Sequence, residues 1–188
     1  MLPLDKATAA TRRKRRAARH PVVLQRAAAD PRIGKGYFWL GFVLLALFLI
    51  QERGRLRWPW LAQLQGNDVY KQLSGFALLA FIAHQWHFSV LRARGLMRKA
   101  GGMIKRHKLL GAMAPVFFYA HSQQMGYAYQ EVLSVVFFAI FVTGLLNFEI
   151  TRVHKSWFQA IWITTHVGLS MALLFLLGYH VFISYAYQ

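Results

Sequence analysis

Five long runs of hydrophobic residues, separated by short polar or basic segments, dominate the pattern of this sequence. They cover residues 37–50, 69–91, 107–127, 129–148 and 157–185. A hydrocarbon core about 30 Å thick needs about 20 apolar residues in helical form, and every run except the first has that length. The first run comes close to it when extended to Gly34 and Gln51. The pattern therefore predicts an all-α integral membrane protein with about five transmembrane helices.

Basic residues gather in blocks at alternate ends of the predicted helices. Ten Lys and Arg lie in residues 1–35, and seven lie between Arg92 and Lys108 without a single acid. Cytoplasmic loops carry the excess of Lys and Arg, so the N-terminus is expected in the cytoplasm and the C-terminus outside. We therefore predict a multi-pass protein of a bacterial-type inner membrane. Residues 1–35 form a basic cytoplasmic arm in this prediction, and residues 36–188 form the transmembrane helical domain.

The composition limits which partners and which redox centres the chain can have. The formal charge of +17 suggests nucleic-acid binding at first. In a chain that is 56% hydrophobic, however, basic runs signal topology and attract anionic lipid headgroups. We expect contact with the lipid bilayer and no nucleic-acid partner. The sequence has no cysteine, which excludes disulfides, thiolate-held iron–sulfur clusters and c-type haem attachment. Any redox centre must be held by histidine, or be a flavin or a quinone.

Two histidine pairs of equal spacing give the most specific signal for function. His107 and His121 lie 14 residues apart in the third run, and His166 and His180 have the same spacing in the fifth. Fourteen residues of α-helix rise about 21 Å and return to nearly the same face. Two such helices run parallel when one helix separates them, and side by side they would form two stacked bis-histidine sites. Haem iron accepts neutral imidazoles as axial ligands, so the pattern favours a membrane cytochrome with b-type haem.

Other interpretations of these histidines remain open. A histidine in a transmembrane segment can hydrogen-bond a facing Ser, Thr or carbonyl group. The chain would then be an accessory membrane subunit that anchors or organises a larger complex, with structural histidines. A histidine-lined metal transporter is a third possibility, which the absence of carboxylates from the predicted helix interiors disfavours.

The depth of the inner histidines raises a further question. His107 directly precedes Lys108, whereas His166 lies eleven residues past Lys155. If each helix entered the membrane at its last cation, the two imidazoles would differ in depth by about 15 Å. An interfacial stretch at residues 156–161 would remove this offset. Otherwise a single haem between His121 and His166 is the alternative to two haems.

His84 and His87 lie one turn apart near the basic end of the second run. Either could replace His107 as the inner ligand. They could also form an interfacial pair that hydrogen-bonds to loop groups, or a proton or quinone site beside the haem.

Two segments resemble a known family. HKLLGAMAPVFFYAH, from His107 to His121, resembles the third helix of the ferric reductase-like transmembrane domain superfamily, and WITTH with the later His180 resembles the fifth. The superfamily includes NADPH oxidases, ferric reductases and the haem-binding membrane subunit of methionine sulfoxide reductase systems. The resemblance covers residues 69–187. It implies a haem-binding helical bundle in which His107 faces His166 for an inner haem b and His121 faces His180 for an outer one.

The resemblance also bears on partners. No G-x-G-x-x-G segment opens a strand-to-helix turn, so we expect no flavin- or nicotinamide-binding domain in this sequence. We therefore expect an electron-transfer subunit of an oxidoreductase more than a complete enzyme. Its partner would be another redox protein or membrane oxidoreductase subunit, which could supply a flavin or a quinone.

Overall fold

The computed structural model describes residues 31–153 and 155–186, and every regular element in this part of the chain is an α-helix. In chain order the helices are α1 (Pro31–Arg53), α2 (Pro59–Gly66), α3 (Asp68–Ala93), α4 (Met97–Ala112), α5 (Ala114–His121), α6 (Tyr129–Leu145), α7 (Phe148–Thr151) and α8 (Ser156–Ala186). The all-α prediction is confirmed for these residues. Most of the basic arm predicted for residues 1–35 lies outside the described residues.

Two of the described helices are long and apolar enough to cross a membrane, where the sequence pattern predicted about five. They are α8 over its whole length and α1 from Lys35 to Arg53. Only 6% of the most apolar stretch of α8 is buried in the protein, so the other described helices fully cover only a small part of it. The helix α3 is long but carries several polar side chains along its length, and α6 has only 17 residues. The count of five spans therefore does not follow from helix length and hydropathy alone.

The third hydrophobic run forms two helices where the sequence predicted one. The helix α4 ends at Ala112 and α5 begins at Ala114, with Pro115 in the first turn of α5. Proline has no amide hydrogen to donate, so it interrupts a continuous helix but suits the first turn of a new one. Arg98, Lys99, Lys105 and Arg106, which precede His107, belong to α4, and residues 122–128 after α5 are not helical.

Phenylalanine side chains form the core where the helices cross. Phe48 on α1 lies between Phe118 on α5, at 5.4 Å between ring centroids, and Phe138 on α6, at 4.8 Å. Phe81 on α3 stacks on Phe117 at 4.5 Å. The most extensive helix contacts join α3 to α4 and α6 to α8. The space between these two helix pairs contains the cavities described below.

The short helix α2 and the loop after α5 are tied together by Gln123, a polar residue that is only 3% exposed. Its side-chain oxygen accepts a hydrogen bond from the backbone N–H of Trp58 at 3.0 Å. Its backbone N–H donates to the side chain of Gln65 at 3.2 Å, and its carbonyl accepts from the Arg57 guanidinium at 3.0 Å. This network fixes the C-terminal end of α5, where His121 is located.

Candidate functional site

Two cavities lie between the helices, one near each end of the bundle. The first cavity, lined by His107 and His166, has a volume of about 140 Å³. The second cavity, lined by His121 and His180, has a volume of about 540 Å³. The sequence-predicted histidines are therefore brought together in two separate places.

The cavity walls also show how the helices run. Gln85 of α3 lines the first cavity and Gly75 of the same helix lines the second, whereas on α8 the earlier His166 lines the first cavity and the later His180 the second. Thus α3 runs opposite to α8. The segment α4–α5 runs with α8, since it also carries its earlier histidine to the first cavity. The parallel arrangement expected for the two histidine-bearing segments is present.

The imidazoles of the second cavity lie close together. The ring centroids of His121 and His180 are 6.3 Å apart and the ring planes are perpendicular, at 89°. Metal–imidazole bonds of about 2.0–2.1 Å, with each centroid about 1.1 Å beyond its nitrogen, place two trans rings about 6 Å apart. The separation of His121 and His180 therefore suits a metal ion between them. His121 and His166 line different cavities, so the alternative pairing of these two is not formed.

His107 and His166 line the same cavity, so the two imidazoles lie at a similar level of the helix bundle. The helix α4 begins before the last cation of its segment, and α8 begins just after Lys155.

A hydroxyl group and a glycine touch one imidazole of each pair in the same way. Ser74 Oγ lies 3.1 Å from Nδ1 of His121, and a Cβ added at Gly75 would lie 3.4 Å from Cε1 of that ring. In the first cavity, Thr143 Oγ1 lies 2.9 Å from Nδ1 of His166, and a Cβ added at the following glycine, Gly144, would also lie 3.4 Å from Cε1. Residues of two different helices thus make the same contacts.

The other imidazole of each pair has a buried nitrogen without a partner. Nδ1 of His107 and Nδ1 of His180 make no hydrogen bond with any described residue, although the His107 ring lies near the backbone carbonyl of Gln85. Phe88 packs against His107 with 4.8 Å between ring centroids. Buried polar nitrogens normally make a hydrogen bond, so a buried nitrogen without one is a candidate for binding a ligand.

The Trp162 ring stacks on the His166 ring. The two rings are nearly parallel, at 7°, with centroids 5.6 Å apart. The indole N–H of Trp162 donates to the backbone carbonyl of Thr143 at 2.7 Å. One residue of α8 and one of α6 therefore both restrict the rotation of this imidazole.

His84 and His87 do not line the wall of either cavity. His87 is exposed, whereas His84 lies near His107 and its Nε2 is buried without a hydrogen-bond partner among the described residues. His87 is therefore not placed to replace His107, and the role of His84 stays a prediction.

The chemistry of the cavity walls fits haem better than a bare metal ion. Both walls are mostly apolar, as a flat macrocycle requires, and no carboxylate of the described residues lines either one. Each wall includes one lysine, Lys108 in the first cavity and Lys71 in the second. Within the described ranges, no group of three or more His, Cys, Asp or Glu could hold a metal ion without further ligands.

Comparison of the chain with known protein families, with curated proteins and with solved structures found no match. The resemblance to the ferric reductase-like superfamily therefore stays a prediction. Sequence reasoning did not identify Ser74, Thr143 or Gln123 as site residues. The first two could have been found as the hydroxyl-plus-glycine dipeptides Ser74–Gly75 and Thr143–Gly144. Nothing in the local sequence marks Gln123.

Proposed function

We propose that this chain is a b-type cytochrome that carries electrons across a bilayer as the membrane subunit of a redox system. The single observation behind this proposal is the convergence of four histidines into two pairs, one in each cavity. His107 and His166 would hold one haem, and His121 and His180 the other. Bound haem would supply a one-electron carrier at each site.

Five membrane-crossing segments are part of the proposal. The helix α3 has 26 residues and α4 with α5 spans residues 97–121, so each covers more than 30 Å at about 1.5 Å per residue. The shorter α6 packs along α8, which is itself long enough to cross. Apolar side chains such as Phe175 and Phe182 are 76% and 64% exposed, which suits contact with lipid. The basic end of the bundle would face the cytoplasm, with the N-terminus on that side and the C-terminus outside.

The protein contributes orientation and the exclusion of water. The imidazoles offer nitrogen ligands from two directions, and the apolar walls keep water from the ligand atoms. Ile82, Phe137 and Leu173 are buried and line both cavities, so they form a wall between the two haem sites. An electron carried along the bundle would cross this wall between the centres.

A partner has to load or unload the cytochrome. The cytoplasmic end carries six exposed basic residues, namely Arg92, Arg94, Arg98, Lys99, Lys105 and Arg106. Such a surface would steer an acidic flavoprotein or ferredoxin, and the association would weaken with salt. A flavin or a quinone supplied by this partner or by a membrane oxidoreductase subunit would complete the electron path.

The test is the absorption spectrum of the purified protein before and after dithionite. We expect a b-type α-band and two haems per chain by the pyridine haemochrome assay. His121→Ala and His166→Ala should each lose at least one haem, because each removes a histidine that would hold it. His87→Ala is the matched control and should keep both. A wild-type spectrum without a haem band would refute the proposal, and full haem content in both cavity variants would refute the ligand assignment.

A further inference from the structure

The hydroxyl groups next to His121 and His166 each have a second partner that can only accept a hydrogen bond. Ser74 Oγ lies 3.2 Å from the backbone carbonyl of Lys71, and Thr143 Oγ1 lies 2.8 Å from that of Ile140. A hydroxyl has one hydrogen to donate and lone pairs to accept with. When this hydrogen goes to the carbonyl, the hydroxyl oxygen meets its imidazole as an acceptor, from Nδ1–H.

This arrangement selects the tautomer of both rings. A neutral imidazole carries one N–H, so a proton on Nδ1 leaves Nε2 with a free lone pair. Nε2 is then the nitrogen that can bind iron. The glycine after each hydroxyl leaves room for the ring at 3.4 Å, where a larger side chain would push against it.

We propose that Ser74 and Thr143 are positioning residues that hold His121 and His166 as Nδ1–H tautomers, with Nε2 free as the haem ligand. The inference rests on the proposed function for its haem part only. In each cavity one imidazole is held in this way, while Nδ1 of its partner, His180 or His107, has no hydrogen bond within the described part of the chain. The hydroxyl-held imidazole is therefore the ligand of each pair whose tautomer is set by a side chain.

Loss of the hydroxyl should change the electronic properties of the ligand. A hydrogen bond donated by Nδ1–H makes Nε2 a stronger donor and stabilises oxidised iron. Thr143→Val keeps the shape of the side chain but removes the acceptor, as Ser74→Ala does in the second cavity. We expect haem affinity in the affected cavity to fall about 10- to 100-fold. A tenfold loss confined to the oxidised form would raise that haem's midpoint potential by about 59 mV.

The experiment compares full-length wild type, Thr143→Val and Thr143→Ser, with Ser74→Ala and Ser74→Thr as the matching set. Potentiometric titration and the low-spin EPR signal are measured on the haem-loaded protein. Thr143→Ser and Ser74→Thr keep a hydroxyl and should restore wild-type values. Thr151→Val is the control, because that hydroxyl bonds the carbonyl of Asn147 and lies outside both cavities.

A second measurement does not need haem. Selective ¹⁵N-histidine labelling of the full chain, stripped of haem in detergent, reports through two-bond ¹H–¹⁵N correlations which nitrogen carries the proton. We expect Nδ1–H at His121 and His166, with Thr143→Val disturbing only His166. If haem binds but these variants change neither potential nor tautomer, the inference is overturned and the cytochrome proposal stands. If no haem binds yet the tautomers are as expected, the tautomer assignment stands and the cytochrome proposal fails.

Discussion

Removal of the Gln123 side chain should loosen the end of the bundle that carries His121. In Gln123→Ala the side chain that links α2 to the loop after α5 is lost. The backbone bonds of residue 123 to Arg57 and Gln65 remain possible, so the loop should keep its path. The variant therefore tests the side chain alone.

The expected cost follows from the bonds that are lost. The Gln123 side-chain oxygen accepts from Trp58 N at 3.0 Å and from the Tyr119 hydroxyl at 3.4 Å, and its amide nitrogen donates to the Trp58 carbonyl at 3.4 Å. A hydrogen bond contributes about 0.5–1.5 kcal/mol net, and polar contacts in membrane proteins average about 0.6 kcal/mol. One short and two long bonds therefore give a loss of about 1–3 kcal/mol in the free energy of unfolding.

The assay is unfolding of the purified protein in detergent, followed by tryptophan fluorescence. Gln63→Ala is the matched control, because Gln63 is an exposed residue of α2. On the proposed function, the Gln123 variant should also lose haem from the second cavity before the first, since Gln123 lies two residues after His121, the last residue of α5. Equal stability of the two variants would show that the network around Gln123 does not hold this end of the bundle.

Three further predictions concern topology and packing. A reporter that is active only in the cytoplasm should work when fused at Gly101, and a reporter that is active only after export should work when fused after Gln188. The reverse result at both sites would invert the proposed topology. Lys108→Met should lower the free energy of unfolding by about 2 kcal/mol, because it leaves the Glu149 carboxylate without its cation. The Glu149 side chain is only 14% exposed and lies 2.7 Å from the Lys108 ammonium group. Adding Glu149→Gln should recover part of the lost stability, and no recovery would contradict the pairing. Phe137→Ala should cost about 3 kcal/mol and open the wall between the cavities, whereas a loss below about 1 kcal/mol would contradict its role in the core.

The histidine positions could be predicted in part because helical periodicity is a local property. On α8 a single helix runs from Ser156 to Ala186, so His166 and His180 keep the relation that their spacing implies. On the other segment the same spacing crosses the break at Met113. There the two histidines still reach the two cavities, but through the packing of α4 and α5 on α3 and not through one straight helix.

The sequence by itself determined the all-α class of the described residues and the candidate ligands, because hydropathy and residue chemistry act within each segment. Only the tertiary structure decided the pairs, since which imidazoles meet depends on where α4 and α8 begin and on the direction of each helix. The same holds for the contacts of Ser74 with His121, of Thr143 with His166 and of Gln123 with Trp58. These contacts join residues more than 20 positions apart, and no local pattern encodes them.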